Sequence, residues 1–155
     1  MRARMNHPAM VVPQVMPTLL ALSAAVTDTG LSRTTIELVN LRVSQLNGCA
    51  VCLRMHARDL RKAGEADERL DTVAGWRDAP YFTDAERAAL DLAEATTRLG
   101  GSSDPVSDEV WAEAARHYDE VALGALVVAI AQINLWNRLN IATRQVAGTD
   151  GTDGT

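Results

Sequence analysis

Both cysteines of the chain, Cys49 and Cys52, lie in the stretch NGCAVCLRMH together with His56. On an α-helix, at about 100° per residue, steps of three and seven residues place all three side chains in one narrow sector on successive turns. Cys49 then stands at the amino end of that helix, where free N–H groups and the helix dipole favour an anion. A Cys-x-x-Cys pair so placed commonly has one depressed thiol pKa, and the thiolate is the reactive species. His56, one turn beyond Cys52, can take its proton as a neighbouring base activates a nucleophile. Three other uses of the same residues stand beside this redox reading. A structural disulfide between residues one turn apart closes a tiny loop and stabilises little. A zinc site wants four ligands, of which this helix supplies three, with His117 or a remote carboxylate as the fourth. Two inert buried cysteines are the plainest alternative.

Glu37 lies twelve positions before Cys49. With Thr34 it fits a T-x-x-E capping box, a purely structural role. It also falls beside the apolar stripe of Ile36 and Val39, where a lone carboxylate is costly without a partner. Facing a histidine, it would hold the imidazole in one tautomer or pass protons through water. The spacing leaves both roles open. Trp76, Tyr81 and Phe82 share the loop WRDAPYF, where they serve either as packing or as the entrance to a substrate pocket. Trp136 and Arg138 suit core or subunit contacts, with Trp136 also able to shape substrate access. His117 adjoins a helix end and its dipole, and His7 falls in an arm that reads as mobile.

The elements that must position these residues all have the helical period, and no alternating strand stands out. The 155-residue length suits one compact domain. An apolar share of 47% with only 4% aromatics, mostly Ala, Leu and Val, favours closely packed helices. Seven helices are predicted. They span Thr18 to Thr27, Ser32–Thr34 to Asn47, Cys49 to Lys62, Asp67 to Gly75, Thr83 to Leu99, Ser107 to Tyr118, and Asp119 to Arg144. Gly48 fits the left-handed position that closes a helix, and Thr83 with Glu86 makes a capping box. An irregular arm over 1–17, one helical domain over 18–146 and a disordered tail over 147–155 complete the organisation. A net charge of −5, with Lys62 the sole lysine, argues against nucleic acid. The apolar run from Val121 to Trp136 falls below membrane-spanning length, and prolines interrupt the amino-terminal one. A soluble, cytoplasmic protein is the expectation.

Glu37, eleven residues, Cys49-Ala-Val-Cys52, three residues and His56 together resemble the E-x(11)-C-x-x-C-x-x-x-H pattern of the alkylhydroperoxidase D (AhpD) family. That family belongs to the carboxymuconolactone decarboxylase superfamily. The likeness runs from about residue 32 to 145, through ELVNLRVSQLNGCAVCLRMHARDLRKAGE, WRDAPYFTDAERAALDLAEATTRL and INLWNRLNIATR. It implies an AhpD-like all-α domain of about six to seven helices, assembled as a trimer or hexamer. It also implies a peroxidase acting on organic hydroperoxides, or a disulfide-exchanging or redox-sensing protein. By position, Cys52 matches the cysteine that attacks peroxide, Cys49 its resolving partner, and His56 with Glu37 the proton relay. No bound cofactor or metal is implied, and the reducing equivalents come from an external thiol or a lipoyl-bearing protein. The helix dipole favours Cys49 as thiolate whereas contact with His56 favours Cys52. Ala50 and Val51 replace a polar, histidine-containing pair of the best-characterised members, which bears on efficiency and reductant. The decarboxylase branch normally lacks the cysteine pair, so lactone decarboxylation is not expected.

Overall fold

The structure is a computed structural model that describes residues 1–100 and 103–148. Among the described residues it contains eight α-helices and no strand, so the all-α expectation holds. The helices are α1 (Pro8–Val11), α2 (Val15–Thr27), α3 (Arg33–Asn47), α4 (Ala50–Lys62), α5 (Asp67–Thr72), α6 (Asp84–Thr97), α7 (Asp108–His117) and α8 (Glu120–Thr143). A 3₁₀ turn, Val73–Gly75, continues α5. All seven predicted helices are present, and the eighth, α1, lies in the arm that was expected to be irregular. His7 caps it by accepting the Ala9 N–H on Nδ1 at 3.1 Å. α2 begins at Val15, three residues earlier than predicted. Pro17 does not block it, because a first-turn N–H has no intrahelical acceptor to lose. The predicted tail falls for the most part on 149–155, outside the described residues.

Capping explains most helix starts. Ser32, Ser107 and Asp119 accept N–H groups of α3, α7 and α8, and Thr83 with Glu86 forms the predicted capping box on α6. Thr34, in contrast, hydrogen-bonds Glu65 at 3.2 Å rather than capping α3, which leaves the Glu37 carboxylate available elsewhere.

α3 is the central helix. Val39 and Val43 enter one core cluster with Cys49, Cys52 and Leu126, while Leu38 and Leu41 enter a second with Leu60, Trp76 and Phe82. A helix that buries several faces carries polar groups inward, and they need partners. Arg42 is buried against Glu94 of α6 at 2.7 Å, and Glu94 also takes the Trp76 indole N–H at 2.9 Å and guanidinium contacts from Arg77 and Arg98. α8 is longer than its apolar run suggested, because the helix continues through Asn137 and Asn140 to Thr143. By length and composition alone it could cross a membrane, but half of that stretch is packed inside the protein.

Candidate active site

The cysteine turn is built by the junction of α3 and α4. Gly48 takes a left-handed conformation (φ 72°, ψ 33°), and the N–H groups of Gly48 and Cys49 return to the last carbonyls of α3. This closes α3 and turns the chain so that Cys49 is the N-cap of α4, with Cys52 in the first turn. The Cys49 Sγ accepts the Cys52 N–H at 3.4 Å. Both cysteines are fully buried and reduced.

The two thiols are not equivalent. A hydrogen bond from Cys49 is the main influence pulling the Cys52 pKa below the ordinary thiol range, and burial opposes it. The Asn137 and Asn140 side chains, and His56 once it holds a second proton, pull in the same direction as Cys49. The Cys49 pKa moves up, first because Cys49 donates that hydrogen bond and then because it is buried. The dipole argument taken alone favoured Cys49. As an N-cap its sulfur acts as helix acceptor and thiol donor together, and the anion settles one turn further in.

His56 lies on the same face of α4, as the spacing predicted. Its Nδ1 meets Glu37 Oε2 at 2.6 Å, with the side chains 8% and 17% exposed. A carboxylate on Nδ1 holds the N–H there and leaves Nε2 with its lone pair. Nε2 is buried and has no hydrogen-bond partner in the protein. Glu37 therefore serves the imidazole and not a capping box.

α8 contributes the part of the site that sequence reasoning missed. Asn140 donates from Nδ2 to Cys52 Sγ at 3.3 Å. The fully buried Asn137 donates to Ser44 at 3.1 Å and accepts from Asn47 at 2.9 Å, and Asn47 also donates to Asn134 at 3.0 Å. These amides fix α8 against the α3–α4 junction. A readable signal did exist: Asn134, Asn137 and Asn140 fall at three-residue intervals on a mainly apolar helix, forming one polar stripe.

Cys52, His56 and Glu37 open on a cavity of about 680 Å³. Its wall is largely apolar, with Met16 and Leu20 of α2, Met55 of α4 and Ile133 and Trp136 of α8 among its residues. Such a cavity can hold a drug-sized organic molecule. Trp136 is thus at the pocket, as the sequence suggested. The other three candidates are elsewhere: Trp76 and Phe82 are core residues of the second cluster, and Tyr81 is 43% exposed outside the cavity. The reason is local, since Glu94 satisfies the Trp76 N–H inside that core and draws the loop there. His117 pairs with Glu113 at 3.1 Å on the exposed end of α7. Among the described residues no group of three or more His, Cys, Asp or Glu side chains is arranged to hold a metal ion.

Comparison with known proteins agrees with this architecture. The carboxymuconolactone decarboxylase family profile matches residues 13–95, which include the whole Glu37–His56 stretch. The uncharacterized protein YdfG of Bacillus subtilis is 39% identical over 132 residues, 85% of this chain and 88% of YdfG. A shorter match, 41% over 44 residues, links 28% of the chain to 24% of the alkyl hydroperoxide reductase AhpD of Bradyrhizobium diazoefficiens. A crystal structure from Agrobacterium tumefaciens superposes with a TM-score of 0.86 at 30% identity, over 94% of this chain and 98% of that one. That protein is described as of unknown function and as a candidate antioxidant-defence protein AhpD. A peroxidase-related protein of Silicibacter sp. TM1040 shares the fold, with a TM-score of 0.72 at 22% identity over 86% of this chain and 72% of that one. On these matches and on its all-helical fold, the chain belongs to the carboxymuconolactone decarboxylase family, as an AhpD-like member.

Proposed function

We propose that the protein is a thiol peroxidase that reduces organic hydroperoxides by a dithiol/disulfide cycle. One observation carries the reading: a buried Cys52 whose pKa is pulled down opens, beside an imidazole paired to Glu37, on an apolar cavity. The Nε2 of His56 takes the Cys52 proton, directly or through one water. The thiolate attacks the terminal peroxide oxygen, an S–O bond forms as O–O breaks, and the imidazolium returns its proton to the departing alkoxide to give the alcohol. Cys49 then attacks the sulfenic sulfur; the disulfide forms, and the hydroxyl leaves with the Cys49 proton as water. An external dithiol, small or lipoyl-bearing, supplies the two electrons and two protons that restore both thiols, so no bound cofactor is needed.

The full burial of both sulfurs favours a second reading, a redox reporter oxidised once and re-reduced slowly because partner access is restricted. The test is intact-protein mass spectrometry of reduced protein after one equivalent of cumene hydroperoxide. Loss of two hydrogens, abolished by serine at either cysteine, supports dithiol chemistry. Turnover with dihydrolipoamide then separates peroxidase from reporter, and an unreacted mass overturns both.

We place the protein in the cytoplasm as a soluble homo-oligomer, a trimer or hexamer. The support for assembly is apolar surface outside the cavity at the amino-terminal end, where Val11, Val12 and Leu22 are exposed. Sedimentation giving a monomer at micromolar concentration would overturn that assignment.

A further inference from the structure

We propose that the substrate is an uncharged hydroperoxide on an extended hydrocarbon chain, held with its reactive end at Cys52 and its tail in a slot between α2 and α8. The inference deepens the peroxidase reading and rests on it.

The shape of the cavity carries the argument. On α8 its lining runs from Asn140, which donates to Cys52 Sγ at 3.3 Å, back to Ala129. At about 1.5 Å per residue that interval of helix is about 16 Å long. On α2 the lining runs from Met16 to Thr27, a stretch of the same length. A cavity of about 680 Å³ drawn out over that distance is about 7 Å wide, which suits a chain or a single ring. Gln132 ties the two walls together partway along: its Nε2 donates to the Leu19 carbonyl and to Ser23 Oγ, each at 2.7 Å.

The thiol end of the slot is covered. The Arg4 N–H donates to the Thr143 carbonyl at 2.8 Å and Gln145 donates to the Met5 carbonyl at 3.0 Å, which clamps the amino-terminal arm to the carboxyl end of α8. That arm carries the His7 ring onto Trp136, with centroids 5.6 Å apart, and His7 and Gln145 both line the cavity. A hydroperoxide bound at Cys52 therefore sends its tail the other way, along α8 toward Ala129.

The walls decide the chemistry of that tail. Leu20, Val26 and Ile133 are apolar along the slot, and Met16 can adapt its shape to a chain. Burial of each added methylene then tightens binding about threefold, until about ten carbons fill the length. Among the described residues that line the cavity none is lysine or arginine, whereas the Glu37 carboxylate is present. A carboxylate on the tail would lose its hydration with no opposite charge to meet it. Gln132 offers it no N–H, since both amide hydrogens are spent on α2.

The test uses reduced full-length protein and two series of equal chain lengths, butyl to decyl. Primary alkyl hydroperoxides are followed by turnover with dihydrolipoamide, and the primary alcohols, inert to thiols, by calorimetric binding. The expected result is a rise of about threefold per methylene in kcat/KM and in alcohol affinity. Decanoate should bind at least tenfold more weakly than decanol at pH 7. Ala129→Leu fills the far end of the slot and should lower the decyl-to-butyl ratio about tenfold in both series. Thr27→Phe, which fills the same end from an exposed position on α2, serves should Ala129→Leu not fold. Alcohol affinity that does not change with chain length, or a ratio unmoved by the filling variant, overturns the proposal. Decanoate binding as tightly as decanol overturns the assignment of an uncharged tail. Chain-dependent alcohol binding without any hydroperoxide turnover would support the slot and sink the peroxidase reading.

Discussion

Replacing Glu37 by glutamine changes one atom and probes the whole proton path. The Glu37–His56 hydrogen bond is 2.6 Å long and joins two mostly buried side chains. A hydrogen bond to a charged partner contributes about 1.5–3 kcal/mol and a neutral one about 0.5–1.5 kcal/mol, so neutralising the carboxylate forfeits about 1–1.5 kcal/mol. If that energy supports the proton transfer, single-turnover oxidation of the dithiol slows by about five- to tenfold. Glutamine can also turn its NH₂ toward Nδ1, which moves the ring proton to Nε2 and removes the lone pair the mechanism uses. Glu37→Ala removes the partner altogether, and a loss of about 3 kcal/mol predicts a slowing of about a hundredfold. The assay is rapid quench with cumene hydroperoxide and intact-protein mass, with thermal melting as the control for fold. Cap loss does not confuse the result, because Ser32 caps α3 and Thr34 is paired with Glu65. Equal rates for wild type and Glu37→Gln, with His56→Gln slow, would refute the relay and leave Glu37 a packing residue.

Other outcomes follow from the same geometry. At pH 7 iodoacetamide labels Cys52 ahead of Cys49, since the two pKa values move apart in opposite directions; preferential labelling of Cys49 in peptide mass would reverse the assignment of the nucleophile. A depressed thiol pKa stabilises the fold above the unfolded thiol value, and that stability is lost as pH falls through the folded value. The stability gap between wild type and Cys52→Ser, from urea melts, is therefore wider at about pH 9 than at about pH 5. Glu94→Gln leaves buried Arg42 without its carboxylate and costs about 3 kcal/mol, or about 6–12 °C in Tm by calorimetry. Gly48→Ala meets no neighbouring atom but must hold φ 72°, at a cost of about 1–2 kcal/mol in a denaturant titration. Trp76→Phe lowers stability through the lost indole hydrogen bond and leaves the KM for hydroperoxide unchanged; a raised KM would return that loop to the pocket.

The parts legible in the sequence are those written by local chemistry. Ser107, Asp119 and the Thr83–Glu86 box mark helix starts because a cap needs only residues within one turn. Gly48 marks a helix end because few other residues take its backbone angles. The stacking of Cys49, Cys52 and His56 follows from helical arithmetic. The parts that were not legible depend on long-range contacts. Asn140 meets Cys52 across 88 positions, and nothing near either residue states that they touch. His7 belongs to a segment whose order comes from bonds to the far end of the chain, so a local reading gives a loose arm. The aromatic loop reads as bulky and apolar, which predicts burial, but the choice between two interiors was made by Glu94, a residue with three basic partners that also accepts an indole N–H.

The N-cap role of Cys49 ties the backbone of α4 to the oxidation state of the site. In the dithiol form its sulfur accepts the Cys52 amide at 3.4 Å. A sulfur bonded to Cys52 is a poorer acceptor with a fixed direction, so oxidation strips the helix of its side-chain cap at the residue that has just reacted. Loss of such a cap typically costs about 1 kcal/mol, or about fivefold in the opening equilibrium of the first turn. Amide hydrogens of that turn should then exchange with deuterium faster in the disulfide than in the dithiol. The first turn of α4 would loosen when the reductant must reach the buried sulfurs and tighten again once they are reduced.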